Sequence, residues 1–338
     1  MSSRKRYTSK FCNAKERFFS LQAKRNVGRS QEKVVEEVPE LANSQEEADT
    51  RLLLHASHAA QEGHRAVIVV TEDTDVFVLL LSFCRTMNTT ILQKCGSSTR
   101  TKLIDIKKIT TVLGEDTCRG LIGVHAFTGC DSVSAFAGKG KAKALKILKD
   151  DAEVKETFSR LGEEWQVSPD LFTRIEKFTC DLYSSRATEV NTARYNLFCS
   201  KNGEMESFQL PPCKDSLQKH TLRANYQAGI WKRCLQQHPK IPSSVGMGWK
   251  LQQVEEREEL QFDWMDGKPA PDAVLELLAC RCTRSCKLPS CVCLANGLKC
   301  TDICTLKECQ NQVEGDEEID LYNSNDDTDD SDDTDDED

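Results

Sequence analysis

The chain has 338 residues, which is enough for about two domains with a substantial hydrophobic core. Its net charge of −9 is unevenly spread, because residues 314–338 carry fifteen acidic side chains and leave a net charge of +6 on the rest. It has neither a run of ~18 apolar residues nor a signal-peptide pattern. We therefore expect a soluble intracellular protein with no membrane partner.

Both ends of the chain are strongly charged. Nine of the first thirty residues are Lys or Arg and only Glu16 is acidic, so residues 1–43 are predicted to be a basic disordered arm. Residues 313–338 are predicted to be an acidic disordered tail. The arm favours nucleic acid as a partner, and the tail favours autoinhibition or binding of basic proteins such as histones. Simple solvation of both ends is the alternative, and composition does not separate the two.

The first predicted elements place acidic side chains at element ends. Ser44 followed by Glu47 forms a capping-box pattern, which predicts a helix that ends at Gly63. Residues 66–71 are apolar and mostly β-branched, so they are predicted to form a buried parallel strand. Ligands bind at the carboxyl end of such strands in open α/β sheets, and aspartates follow this strand closely.

The chain from there to residue 270 is predicted to be mainly helical. Apolar spacing predicts a strand at residues 89–93 and helices at residues 76–83, 105–128 and 142–149. Residues 168–237 are again mostly helical, and residues 238–269 are predicted to be a connector. We therefore divide this part into an α/β core at 44–150 and a helical extension with connector at 151–270.

Acidic side chains recur where predicted helices and strands begin or end. The candidates are Glu47, Asp49, Asp73, Asp75 and Asp131. Several carboxylates aimed at one point are the arrangement that a hard divalent cation needs, and such cations assist phosphodiester hydrolysis. Any single acidic pair is more often a helix cap or a solvated surface. The recurrence of these pairs in order favours a site for Mg²⁺ or Mn²⁺.

Four motifs in this order resemble the flap-endonuclease and PIN-like group of metal-dependent nucleases. They are Glu47-Ala48-Asp49, Thr71-Glu72-Asp73-Thr74-Asp75, Gly129-Cys130-Asp131 and Gly138-Lys139-Gly140. The resemblance covers residues 44–150 and implies a PIN-like parallel sheet flanked by helices. It also implies that the five carboxylates hold metal ions for cleavage of DNA or RNA, as in a structure-specific endonuclease or an exonuclease. The group's first strand, which bears an Asp, has no counterpart in residues 1–43, so a catalytically inactive relative is the alternative.

The glycine-rich motif resembles the helix-hairpin-helix turn by which these nucleases hold a DNA backbone. The residues concerned are Gly138, Lys139, Gly140, Lys141 and Lys143. Glycines permit close approach to a phosphate, and backbone N–H groups at a helix start favour an anion. The lysines add positive charge along the expected path of the backbone. By itself this segment would be an ordinary loop.

Eight cysteines lie close together near the carboxyl end of the chain. They are Cys280, Cys282, Cys286, Cys291, Cys293, Cys300, Cys304 and Cys309. Closely spaced thiolates in an intracellular protein favour Zn²⁺ over disulfides, because zinc takes four soft ligands tetrahedrally. The spacing resembles the tesmin-like CXC domain, which shares a small zinc cluster and binds DNA, and it places a zinc module at 271–312. Leu306 stands where that pattern has a further thiol.

Together these patterns predict a nuclear, nucleic-acid-binding protein with an α/β nuclease-like core and a zinc module. Such a combination is typical of a sequence derived from a mobile element. The alternatives are a non-catalytic DNA-binding zinc protein and an interaction scaffold with an acidic tail. Among the histidines, His55 and His58 are expected to be ordinary helix positions, and His125 is expected to pack or hydrogen-bond near Asp131.

Overall fold

The computed structural model of the chain describes residues 6–9, 20–24, 33–37, 39–97, 99–200, 207–254, 257–267, 280–295, 300, 304–306 and 309–311. The chain separates into two compact units, Met1–Asp266 and Gly267–Asp338. The first is a mixed α/β unit, and the described part of the second is a small cysteine-rich cluster. The α/β class and the cysteine cluster predicted from the sequence are therefore confirmed at this level.

Three short strands lie within the predicted basic arm. They are β1 (Arg6–Ser9), β2 (Ser20–Lys24) and β3 (Lys33–Glu37), and they form an antiparallel sheet in the order β1-β2-β3. At these segments the structure differs from the predicted arm without regular structure. Antiparallel pairing satisfies backbone hydrogen bonds between short segments that are close in sequence. Pro39–Leu41 in the same arm form a single 3-10 turn, and the arm's other residues up to 38 lie outside the described residues, as does the predicted acidic tail.

A second sheet carries the strand that was predicted to deliver aspartates. Its strands are β4 (Ala66–Val70), β5 (Thr90–Cys95) and β6 (Lys102–Asp105), in the order β4-β5-β6. β4 and β5 are parallel and β5 and β6 are antiparallel, so the sheet is small and mixed. The positions of the predicted strands at 66–71 and 89–93 are thus confirmed to within two residues. The predicted burial of the first strand is wrong, because most of β4 is exposed, and the sheet is mixed where the resemblance implied a parallel one. Within the described residues β4 pairs with β5 alone, and its Ile68 and Val70 are 54% and 70% exposed.

Five helices contribute to the hydrophobic core together with Val69 of β4. They are α1 (Ala48–Gln61), α2 (Thr74–Phe83), α3 (Ile106–Leu113), α4 (Glu115–Phe127) and α5 (Lys141–Asp150). The predicted helical stretch 105–128 is divided at Gly114, whose φ of +81° is a conformation that suits glycine. The predicted capping box of Ser44 and Glu47 is not the N-terminal cap of α1. α1 begins after Glu47, which is its N-cap residue and whose side chain makes no capping bond.

The predicted helical extension packs on the α/β part in one continuous core. Its elements are α6 (Ala152–Arg160), α7 (Pro169–Leu182), α8 (Val190–Ser200), α9 (Lys214–Lys232) and the antiparallel hairpin β7 (Trp249–Val254) and β8 (Arg257–Phe262). One hydrophobic cluster extends from Leu53 through Phe127 to Trp231. The residues predicted as core and as extension therefore share their interior.

The helix α4 lies at the centre of this core, and glycines allow a neighbouring helix to approach it. A Cβ atom at Gly123 would lie 2.3 Å from the backbone oxygen of Phe158 in α6. A Cβ atom at Gly120 would lie 2.9 Å from Cδ1 of Leu148, which is a side-chain atom. Because α4 ends just before the Gly129-Cys130-Asp131 turn, its position determines where that turn lies.

We expect Gly123→Ala to lower the melting temperature of the chain more than Gly120→Ala. Both changes gain the same helix propensity, but the nearest backbone atom lies 2.3 Å from the new methyl group at position 123, whereas at position 120 it is the backbone oxygen of Lys155 at 3.3 Å. Overpacking of this kind costs ~1–3 kcal/mol. Thermal unfolding followed by circular dichroism measures the difference. Equal melting temperatures for the two variants would contradict the close approach of α4 and α6.

Candidate metal centres

Three of the five predicted carboxylates converge at one point. Asp49, Asp73 and Asp75 can each place an oxygen so that all three oxygens lie within 4.8 Å of one another. Asp49 lies in the first turn of α1, whereas the other two follow the carboxyl end of β4. The fold thus brings together two clusters that are separate in sequence. Three carboxylates at this spacing could hold a divalent metal ion.

The local conformation after β4 explains how its two aspartates are oriented. Asp73 is the N-cap residue of α2, and its Oδ1 accepts a hydrogen bond of 2.7 Å from the backbone N–H of Asp75. The backbone N–H of Asp73 in turn donates to Oγ1 of Thr71 at 3.0 Å. Acidic side chains are favoured here, because the start of a helix carries partial positive charge. Local interactions at the strand end and the helix start therefore fix the Asp73 carboxylate.

A buried histidine contacts the third carboxylate of the cluster. His125 of α4 is 6% exposed, and its Nε2 lies 2.7 Å from Oδ1 of Asp75. The sequence prediction placed this histidine near Asp131 instead. The partner is Asp75 because the last turn of α4 lies against the first turn of α2 in the fold, a contact between residues 50 positions apart in sequence. Histidine hydrogen-bonded to a metal-binding carboxylate is a common way to orient the ligand.

Glu47 lies beside the three converging aspartates and is not one of the group. Its Oε1 accepts a hydrogen bond of 2.8 Å from Nε2 of Gln227, and its Oε2 accepts one of 2.9 Å from Nε1 of Trp231. Both donors belong to α9, so the carboxylate faces that helix. Burial raises the pKa of Glu47, although the two hydrogen bonds act in the opposite direction. Each oxygen of Glu47 thus already accepts one hydrogen bond from α9, and its predicted role as a metal ligand stays a prediction.

Asp131 is also outside the converging group, and its side chain is exposed. It follows a tight turn in which Gly129 has a φ of +114° and a Cβ atom there would lie 2.8 Å from Cβ of Ala135. The charge of Asp131 nevertheless contributes to raising the pKa of Asp49. Asp131 is thus near enough to act electrostatically on the cluster without sharing its point of convergence.

The cluster is electrostatically unfavourable without a cation. Partial burial, followed by repulsion from Asp73 and Asp75, raises the pKa of Asp49 from 3.8 to about 6. A bound divalent cation would remove that repulsion, because it supplies the missing positive charge. The raised pKa therefore marks Asp49 as the carboxylate whose ionisation the cluster opposes most clearly.

We expect Asp49→Asn to raise the melting temperature of the metal-free chain at pH 7 by a small amount. Because the folded chain holds the Asp49 proton more tightly than the unfolded chain, the Asp49 contribution to stability is complete below pH 3.8 and is lost as the pH rises through about 6. Asn removes that loss, and solvent screening of this half-exposed group keeps the gain small. Thermal unfolding at pH 5 and pH 7 with a chelator tests it. A variant that is less stable than wild type at pH 7 would contradict this account.

The glycine-rich segment directly precedes α5, which begins at Lys141. Gly140 is the N-cap residue, and it offers no side-chain bond to the first N–H groups of the helix. Nζ of Lys139 lies 4.8 Å from the centre of the Tyr183 ring, and Nζ of Lys143 donates to Oγ of Ser184 at 2.7 Å. These two lysines therefore flank the end of α7. Their predicted contact with nucleic acid stays a prediction.

Lys141 has a different environment from the one predicted. Its Nζ is turned inward, where it lies 3.0 Å from Nδ1 of His125 and donates to the backbone oxygens of His125 and Gly129. Burial lowers the pKa of Lys141. A phosphate contact by this ammonium group would require these bonds to break. The Lys141 residue as a whole is exposed, but its ammonium group is already engaged with His125 and Gly129 at the end of α4.

Six of the eight clustered cysteines form two groups of four with two members in common. The first group is Cys280, Cys286, Cys291 and Cys300, and the second is Cys280, Cys293, Cys300 and Cys304. Within each group all sulfur atoms lie within 4.8 Å of one another. Cys280 and Cys300 therefore occupy the position of bridging thiolates between two metal sites.

The sulfur separations distinguish metal binding from disulfide formation. Neighbouring Sγ atoms are 3.7 Å apart for Cys280 and Cys286 and 3.9 Å apart for Cys280 and Cys300. A tetrahedral site with Zn–S bonds of ~2.3 Å has sulfur atoms about 3.8 Å apart, whereas a disulfide bond is about 2.05 Å long. These cysteines are free thiols. The geometry is that of a metal site and is compatible with zinc.

The remaining two cysteines are not members of either group. Cys282 and Cys309 are only partly buried, and thiol hydrogen bonds place both of them beside Cys286. Few large apolar side chains accompany the cluster, and Leu294 is one that packs against it. A small segment without its own apolar core needs a metal to fold. The prediction that all eight thiols are ligands is thus supported for six.

We expect Cys300→Ala to lower the zinc content of the chain more than Cys293→Ala. Cys300 belongs to both groups, so its removal damages two sites, whereas Cys293 belongs to one. Cys199→Ala is a matched control, because Cys199 is an exposed thiol of α8 outside the cluster. Native mass spectrometry counts the bound zinc. Equal losses for Cys300→Ala and Cys293→Ala would rule out shared thiolates.

Sequence reasoning missed the contributions of α9 to the acid cluster. Gln227 and Trp231 are spaced four residues apart on one face of this helix. The mostly apolar residues around them predict only a buried helix. Their separation from Glu47 by 180 and 184 residues leaves no local signal. Only the spacing of a Gln and a Trp on the same helix face could have indicated paired donors.

Comparison of the chain with protein-family models, with curated proteins and with solved structures found no match. Among the described residues, every helix is too short or too polar to cross a lipid bilayer. The resemblance to nucleases and to the CXC domain consequently rests on the motifs and on the geometry given above.

Proposed function

We propose that this chain is a metal-dependent, nuclease-like protein that acts on nucleic acid at the acid cluster and binds DNA through a zinc module. The observation that carries the proposal is the convergence of Asp49, Asp73 and Asp75. These residues come from two of the four motifs that resemble the flap-endonuclease and PIN-like group. Their order and their position at a strand end are those that the resemblance implies.

The acid cluster has the chemistry that phosphodiester hydrolysis needs. A bound Mg²⁺ or Mn²⁺ would neutralise charge on the scissile phosphate and activate water for the attack. Asp49, Asp73 and Asp75 would hold the ion through carboxylate oxygens, which hard cations prefer. None of the three carboxylates has to act as a nucleophile. Their role would be to hold the divalent cation beside the scissile phosphate.

Each of the two units has positively charged residues that could contact nucleic acid. The start of α5 offers unpaired backbone N–H groups beside Lys139 and Lys143, and helix starts favour phosphate. In the second unit, Arg281, Arg284 and Lys287 lie between the clustered cysteines, and all three are exposed. Positive side chains of this kind bind the phosphate backbone without regard to sequence. These features support nucleic acid as the partner and a nuclear location.

A non-catalytic nucleic-acid-binding protein is the second candidate. The observation that favours it is the state of Glu47, both of whose carboxylate oxygens already accept hydrogen bonds from α9. Together with the exposed position of Asp131, this leaves three carboxylates at the point of convergence. Under this alternative the zinc module and the basic residues bind DNA while the acid cluster performs no hydrolysis.

We expect the zinc-loaded chain to cleave flap, single-stranded or duplex nucleic acid in the presence of Mn²⁺. The double variant Asp73→Ala plus Asp75→Ala should lower the cleavage rate at least ~100-fold, because removal of two ligands leaves the ion without a site. The assay follows labelled substrates on denaturing gels over time, with a chelator as the metal-free comparison.

The matched control is Glu115→Ala plus Asp116→Ala. These carboxylates are exposed and lie at the start of α4, about 14 Å along the helix from His125. Their ion pairs with Arg85 and Arg119 are worth little, so activity should remain at the wild-type level. Equal rates for wild type and the Asp73 and Asp75 double variant would remove the hydrolase reading. Retained DNA binding without any cleavage would favour the second candidate.

A further inference from the structure

Two aromatic side chains connect the acid cluster to α9. The ring of His125 stacks on the ring of Trp231, with 5.6 Å between their centres and 27° between their planes. Nε1 of Trp231 donates to Oε2 of Glu47 at 2.9 Å, and Nε2 of His125 lies 2.7 Å from Oδ1 of Asp75. Trp231 of α9 therefore contacts Glu47 directly and contacts Asp75 through His125.

The neighbours of His125 determine which of its ring nitrogens carries the proton. Nζ of Lys141 lies 3.0 Å from Nδ1, and a lysine ammonium group can only donate. Nδ1 must then accept, so the proton of the neutral ring is on Nε2 and is donated to Asp75. Lys141 is itself held by the backbone oxygens of His125 and Gly129. The donor and the acceptor are thus fixed for each hydrogen bond from Lys141 through His125 to Asp75.

Gln227 holds the other side of Glu47 in the same manner. Its amide Nε2 donates to Oε1 of Glu47 at 2.8 Å, and its Oε1 accepts a bond of 2.6 Å from Oγ of Ser132. Since Ser132 follows Asp131 in the turn after α4, this one amide joins the start of α1 to that turn. The amide orientation is also fixed, because each of its two ends has a partner of the opposite kind.

We propose that His125 and Trp231 are positioning residues that couple Asp75 and Glu47, so that α9 presets the acid cluster for a divalent cation. His125 orients the Asp75 carboxylate directly. Trp231 limits the movement of the His125 ring and, through its indole N–H, holds Glu47 beside the cluster. This inference rests on the proposed function, because it assigns roles at the same metal site.

Preorganised carboxylates bind a cation more tightly than mobile ones, since less ordering is needed on binding. Removal of the hydrogen-bond partners of metal ligands typically weakens metal affinity by ~10–100-fold. A side chain that only fills space would alter stability without this effect. Metal affinity at constant pH therefore separates positioning from packing.

The experiment measures Mn²⁺ affinity of the full, zinc-loaded chain by isothermal titration calorimetry, with the melting temperature recorded for each variant. His125→Leu removes the hydrogen bond to Asp75 and should weaken Mn²⁺ binding by ~10–100-fold. His125→Gln keeps an amide donor and should recover much of that loss. Trp231→Phe retains an aromatic ring but removes the N–H donor to Glu47, and it should weaken binding by a smaller factor.

Trp165→Phe is the matched control, because Trp165 packs on α9 at Gly229 and contacts the ring of Tyr226, with 5.6 Å between the ring centres. It should leave Mn²⁺ affinity unchanged even if it lowers the melting temperature. Wild-type affinity in both His125→Leu and Trp231→Phe, or equal losses in His125→Leu and His125→Gln, would overturn the coupling while leaving the metal site intact. A wild-type chain that binds no Mn²⁺ would overturn the proposed function itself. Should His125→Leu not fold, Trp231→Phe and His125→Gln still decide the question.

Discussion

Concentrated negative charge at the carboxyl end of β4 is the constraint to which the surrounding structure responds. Three carboxylates whose oxygens can lie within 4.8 Å of one another repel each other, and partial burial makes this worse. Hydrogen-bond donors and the partial positive charge of a helix start stabilise these carboxylates. The start of α2 faces Asp73 and Asp75, His125 faces Asp75, and α9 donates to Glu47. The cluster is thus supported by these groups together with the Lys141 ammonium group behind His125, whose charge interacts with that of Asp75.

This arrangement makes α9 part of the site even though its sequence lies outside the motifs. The continuous core joins residues before and after position 150, so the predicted extension fixes the positions of α1 and α4. His220 of α9 shows the same dependence, because its Nε2 lies 2.8 Å from the backbone oxygen of Phe127 at the end of α4. The nuclease-like motifs therefore cannot be understood as a separable domain.

Local patterns explain what the sequence could predict. β4 and the aspartates after it were predictable, because a short β-branched run and an N-cap are encoded by adjacent residues. The zinc-binding spacing was predictable for the same reason, although the sharing of Cys280 and Cys300 depends on three-dimensional position. The contacts of Glu47 with α9 and of Lys141 with His125 were not predictable. They join distant residues, and in both cases tertiary contact overrides the role that local sequence favours.

The uncovered face of β4 affects how this part of the chain behaves in water. Ile68 and Val70 project from a strand that pairs on one side within the described residues, and such edges promote pairing between chains. Electrostatic repulsion between copies opposes that tendency, and fifteen acidic residues at 314–338 are a strong source of it. The charged end of the chain consequently contributes to colloidal solubility. Because salt screens this repulsion over a Debye length of about 8 Å at physiological ionic strength, concentrated salt should favour self-association of the chain.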